Sequence, residues 1–269
     1  MRIWISLPST KLIIFFTLVF SPAVSLAAEA EFKTLRSDHF LINYQEAVSQ
    51  DYLFKVKNTA EKFYRIITQE FNLIRDELWL WNNRAKVFIA GDKESYLKQF
   101  KCSSWSGACV DYRAKIIYTY PDQGSFNSIF IHELTHIILH EYIKKINLDN
   151  WLDEGVACYI ENKYGRAMYQ GRISGLKQAI KAKQYIPLKE LLAGSSNLQA
   201  KPADYASLFY LESFSLINFF VKQYGKYSFS RFLSYLKHGE TPLEAIAKSF
   251  SGLDSIEELE DRWVKFYLK

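Results

Sequence analysis

His132, Glu133 and His136 stand in the segment HELTH at positions 132–136. On a helix, side chains four positions apart lie one turn apart on the same face. Both imidazoles can then reach one metal ion, while Glu133 faces the open coordination position. That pairing suits hydrolysis, with a metal as Lewis acid and a carboxylate to move a proton. The bland alternative is a polar patch on a core helix. Ile129, Phe130, Ile131, Leu134, Ile137, Ile138 and Leu139 make the segment apolar almost all round. A carboxylate buried there without a partner would cost more than a marginally stable fold tolerates, and a metal supplies the partner.

Two histidines leave the third ligand open. Metzincin spacing fails, because Leu139 and Tyr142 occupy the positions of that pattern's glycine and third histidine. His140 is excluded as a ligand to the same ion, since at 1.5 Å per residue it lies about 12 Å along the helix from His132. It reads instead as a histidine supporting the site or packed in the core. Glu154, within WLDEGVA at 151–157, is the better candidate, because the connection at 147–150 lets a second helix fold back against the first. Three protein ligands leave a fourth position for water, the mark of a catalytic rather than a structural zinc.

The elements that must hold these residues follow from periodicity. Strands are expected at 39–44, 85–90, 109–112 and 116–120, the last two joined by a tight turn at 113–115. A long amphipathic helix is expected over 47–71 and a short one over 94–100. Downstream the spacing is helical: 125–144 with Ser125 as N-cap, 151–164, 171–183, 204–223, 227–237, 241–249 and 255–267. Strands first and helices after is an α+β pattern. A loop is expected at 194–197. One domain over 31–269 is expected, divided into an α/β lobe (31–124), metal-site helices (125–164) and a helical lobe (165–269).

The chain is 49% hydrophobic and 16% aromatic, which supplies a core and excludes the composition of disorder. Arg2 and Lys11, the apolar run 12–20 and the small residues 23–28 read as a secretory signal peptide cleaved after Ala27 or Ala30. The apolar run is too short for a bilayer span of about 20 residues, so the mature protein is expected in the periplasm or medium. Cleavage lowers the formal charge of +5 by two, too mild a balance to imply nucleic acid. In an oxidising compartment Cys102 and Cys109 could close a small loop, stabilising the fold by roughly 2 to 3 kcal/mol. Cys158 is left over and reads as a small buried helix residue.

HELTH followed by WLDEGVA, with 17 residues between His136 and Glu154, resembles the gluzincins, and among them the compact peptidase MA-like domains. The segment 105–108, the strand 115–120 and the tail from Leu216 with Tyr224-Gly225 and Glu257–Trp263 extend the likeness. The resemblance implies a catalytic Zn2+ held by His132, His136 and Glu154, a peptide or protein substrate, and Glu133 as general base to zinc-activated water. It also implies a donor to the developing oxyanion. Tyr210, within FYLES at 209–213, is favoured for that role, with Tyr205 behind it.

The chain departs from the family in two places. Cys158 stands where thermolysin-like enzymes carry an aspartate that orients a histidine ligand, so that support is unassigned; Asp153 and Glu161 are candidates for it, though each reads more readily as a helix-surface carboxylate. The glycine-rich exopeptidase motif of the large aminopeptidases is absent, which favours an endopeptidase. The strand edge at 107–112 would accept an extended peptide by β-addition, with Tyr112, Tyr118 and Tyr120 as an aromatic subsite or as packing. The competing functions are zinc hydrolysis of a non-peptide amide or ester, and a non-catalytic peptide-binding protein on the same scaffold.

Overall fold

The computed structural model describes residues 31–102, 107–121, 124, 126–144, 146–166, 169–193 and 201–269. The expected signal peptide, the N-cap Ser125, Trp105 with Ser106, and the loop 194–197 lie outside the described residues.

The fold is α+β, with a mixed five-stranded sheet followed by helices. Strands β1 (Lys33–Arg36), β2 (Phe40–Tyr44), β3 (Ala85–Ile89), β4 (Ala108–Asp111) and β5 (Ile116–Thr119) take the order β1-β2-β3-β5-β4. The run β2-β3-β5 is parallel, while β1 and β4 pair antiparallel at the two edges. Parallel neighbours need a crossover. Helix α1 (Gln50–Glu70), capped by the Ser49 side chain, makes the one from β2 to β3 and buries Leu53, Val56, Ala60, Phe63 and Ile67. Helix α2 (Lys93–Phe100) follows β3, and Cys102 beyond it is disulfide-linked to Cys109 on β4, with Cα atoms 6.0 Å apart. Strand β1 was not expected from the sequence. Its KTLR segment is largely exposed and, among the described residues, pairs on one side only, so it carries no apolar alternation.

Helix α3 (Phe126–Tyr142) runs through the core, buried over most of its length, and packs on α1, β4 and β5. Helix α4 (Asn150–Ile160) folds back against it and is continued by a π-helical turn, Glu161–Gly165. Short helices α5 (Ile173–Lys181) and α6 (Leu188–Leu192) lead to α7 (Ala203–Lys237), then α8 (Pro242–Ser249) and α9 (Ile256–Leu268). Gly225, at φ 83°, breaks α7 where the sequence separates helices 204–223 and 227–237. Helices α4 and α7 approach closely because Gly155 lacks a side chain. A Cβ there would lie 2.8 Å from the Ser213 carbonyl oxygen and 2.9 Å from Ile217 Cγ1. Trp151 is fully buried, as expected of a core residue. No helix among the described residues is long and apolar enough to cross a membrane.

Candidate metal centre

Helix α3 brings His132 and His136 onto one face, one turn apart, with ring centroids separated by 4.9 Å. Helix α4 delivers Glu154 from the opposite side. Its Oε2 lies 3.4 Å from His132 Nε2 and 3.6 Å from His136 Nε2. Together these residues can offer three ligand atoms within 4.8 Å of one another, and all three residues are buried.

Each imidazole is fixed from behind by a carboxylate. His136 Nδ1–H donates to Asp153 Oδ1 at 2.7 Å, and His132 Nδ1–H donates to Glu161 Oε2 at 3.1 Å. With Nδ1 protonated, the Nε2 lone pairs are left for a metal, and both point toward Glu154. Asp153 and Glu161 are therefore not helix-surface carboxylates. Glu161 is 1% exposed, and the Asp153 side chain is largely covered, at 13% exposed, where α4 packs against α3. The π turn matters here. It begins at Glu161, where the winding of α4 changes, and its side chain reaches back to His132. Cys158, at the position of the family's orienting aspartate, instead donates its thiol to Tyr169 Oη at 3.0 Å, and burial pushes that thiol up to about 11.

The electrostatics call for a cation. Burial opposes a charge on His132, but Cys158, Glu154 and Glu161 outweigh it and raise the imidazole well above its usual value. For His136 burial is likewise outweighed, by Asp153 and Glu154, and the shift is again upward. Asp153 is held well below the ordinary carboxylate range, because His136 and His140 overcome its burial. A cluster that retains protons to balance its carboxylates is one in which a metal can take their place. Glu154 Oε2 is buried and accepts no hydrogen bond among the described residues, as expected of an atom kept for a ligand role. Two imidazole nitrogens, one carboxylate oxygen and supporting carboxylates are a donor set that fits zinc.

Glu133 is buried next to these three residues. Burial, against the pull of His132 and His136, pushes its carboxyl up to about 7, and its Oε2 has no hydrogen-bond partner among the described residues. The phenol of Tyr210 is pushed well above its usual value by burial and then by Glu154, Cys158 and Glu133. Tyr205 is engaged elsewhere, its hydroxyl donating to Glu190 Oε1 at 3.0 Å. The tyrosines near the strand edge also separate. Tyr118 packs against Phe88 and Phe100, and Tyr120 against Tyr96. Tyr112 lies flat on His140.

The model of the peptidase MA superfamily matches residues 98–269. No curated protein matches the sequence. Among solved structures, native yeast LTA4 hydrolase is similar with a TM-score of 0.50 and 15% identity, covering 86% of this chain and 38% of that one. The yeast LTA4 hydrolase complex with bestatin gives a TM-score of 0.43 and 16% identity, covering 88% and 36%. The chain thus spans well under half the length of these proteins, and the likeness to the native structure is one of fold. The family match covers the HExxH helix, the glutamate of the helix after it and the whole helical lobe, so the chain belongs to the peptidase MA superfamily, as a gluzincin-like domain.

Proposed function

We propose that this chain is an exported zinc metallopeptidase that cleaves within polypeptides, with His132, His136 and Glu154 as metal ligands and Glu133 as general base. The observation that carries the reading is the convergence of two imidazoles, each held by a carboxylate, and a buried Glu154 oxygen, beside Glu133, whose Oε2 has no hydrogen-bond partner among the described residues. Bound there, zinc would acidify a water and polarise the scissile carbonyl. Glu133, raised to about 7, is poised both to take a proton and to return it to the leaving amine near neutral pH. Tyr210, protonated throughout the physiological range, is suited to donate a hydrogen bond to the oxyanion.

Strand β4 supports the choice of a peptide substrate. Among the described residues it pairs only with β5, stands at the edge of the sheet and packs beside α3, so an extended chain adding to it would run alongside the metal helix. Export is supported by the N-terminal sequence and by the Cys102–Cys109 disulfide, which suits an oxidising compartment. The test is zinc content of the mature protein and of Glu154→Ala, with both assayed on a denatured protein mixture. One zinc per chain, lost in the variant, together with chelator-sensitive cleavage is the expected result. Zinc without cleavage would redirect the reading to a non-peptide amide or ester, and no zinc under metal-replete conditions would refute it.

A further inference from the structure

We propose that His140, which does not reach the three-ligand cluster, is a positioning residue for the metal centre and acts through Asp153 on His136. The inference rests on the reading of His136 as a ligand. His132, His136 and His140 form a stripe at four-residue intervals along α3. The third member meets the carboxylate that holds the second. Asp153 Oδ1 accepts from His136 Nδ1 at 2.7 Å and Oδ2 accepts from His140 Nε2 at 2.9 Å, so each oxygen has its own imidazole donor.

The two contacts do different things. An aspartate held by one hydrogen bond can rock about its terminal torsion, which is broad for this side chain. A second donor on the other oxygen removes that freedom and fixes the carboxylate plane, and with it the plane of the His136 ring. His140 is itself held in place. Its ring lies on that of Tyr112, with centroids 4.5 Å apart and planes 7° from parallel. Tyr112 directly follows the edge strand β4. A continuous line of contacts therefore runs from the end of the edge strand through Tyr112, His140 and Asp153 to His136. The neighbouring Glu141 is occupied elsewhere, by Arg75, Trp79 and Lys115, and does not compete for His140. His140 is 29% exposed, so its substitution leaves the core intact.

The roles of ring and N–H can be separated by substitution. H140F keeps a flat ring for Tyr112 but no donor, whereas H140Q loses the ring and keeps an N–H of similar reach. Zinc affinity of the full mature protein would be measured by competition with a chromophoric chelator, and the visible spectrum recorded after cobalt substitution. H140F is expected to bind zinc about tenfold more weakly, at the lower end of what outer partners of a ligand contribute, with an altered cobalt spectrum. H140Q is expected to recover most of the affinity and the spectrum. The metal-free variants should melt as the wild type does, which separates positioning from folding. If H140F does not fold, H140A set against H140Q makes the same comparison. Wild-type affinity and spectrum in H140F, or equal weakening in H140F and H140Q, would overturn the proposal. A wild-type protein that takes up no zinc would instead sink the ligand assignment on which it depends.

Discussion

His132 and Glu161 are 29 positions apart in sequence, yet Nδ1 of the one lies 3.1 Å from Oε2 of the other, inside the core. The contact joins α3 to the π turn after α4 and leaves the imidazole's Nε2 facing Glu154. Glu161→Ala would strip that partner from a fully buried ring. Zinc affinity should fall by about 10- to 100-fold, as measured by chelator competition, with the ligand set unchanged.

Glu133 stands beside the ligands without being placed among them. Glu133→Gln should therefore retain one zinc per chain while losing about 10² to 10⁴ in kcat, the range for a positioned general base. Elemental analysis and turnover measured on one preparation would check both halves.

Tyr210→Phe tests the oxyanion donor. A loss of about 10² to 10³ in kcat with KM little changed is expected if its hydroxyl acts only in the transition state. Tyr205→Phe, which breaks the contact with Glu190, should leave kcat near the wild-type value.

Gly155 is the point where α4 meets α7. The obstacle to a side chain there is the backbone carbonyl of Ser213 at 2.8 Å, which cannot rotate away as a side chain would. Gly155→Ala should cost about 1 to 3 kcal/mol in denaturant unfolding and weaken zinc binding through displacement of the adjacent Glu154.

Glu212 is fully buried on α7, where both carboxyl oxygens accept from the Ile186 N–H. Burial, reinforced by Glu260 and Glu190 and only partly offset by that hydrogen bond, pushes it up to about 8 from 4.5. Between these values the folded state keeps a proton that the unfolded chain has released. Its contribution to stability is thus greatest below about pH 4.5 and falls as pH rises to about 8, by on the order of a few kcal/mol. Urea unfolding across this range should show that decline, and Glu212→Gln should flatten it.

The grouping of His132, His136 and Glu154 and the α+β order were legible in the sequence because they rest on local geometry. Four-residue spacing sets two imidazoles on one helix face wherever that helix is placed, and a short connection obliges the next helix to fold back near it. The Cys102–Cys109 bridge was legible for the same reason, being a closure over a few residues. The support of the site was not. Asp153 and Glu161 were candidates for it but read more readily as surface carboxylates, because amphipathic spacing does not reveal which neighbour covers a polar flank. Their burial was decided by the packing of α3 on α4 and by a π turn that the sequence does not announce. His140 could be excluded as a ligand from helix rise alone, but its bond to Asp153 and its stack on Tyr112 depend on three separate elements meeting. Ligand spacing is a property of one helix, whereas the orientation of each ligand is set by side chains from others, and only the tertiary structure brings those together.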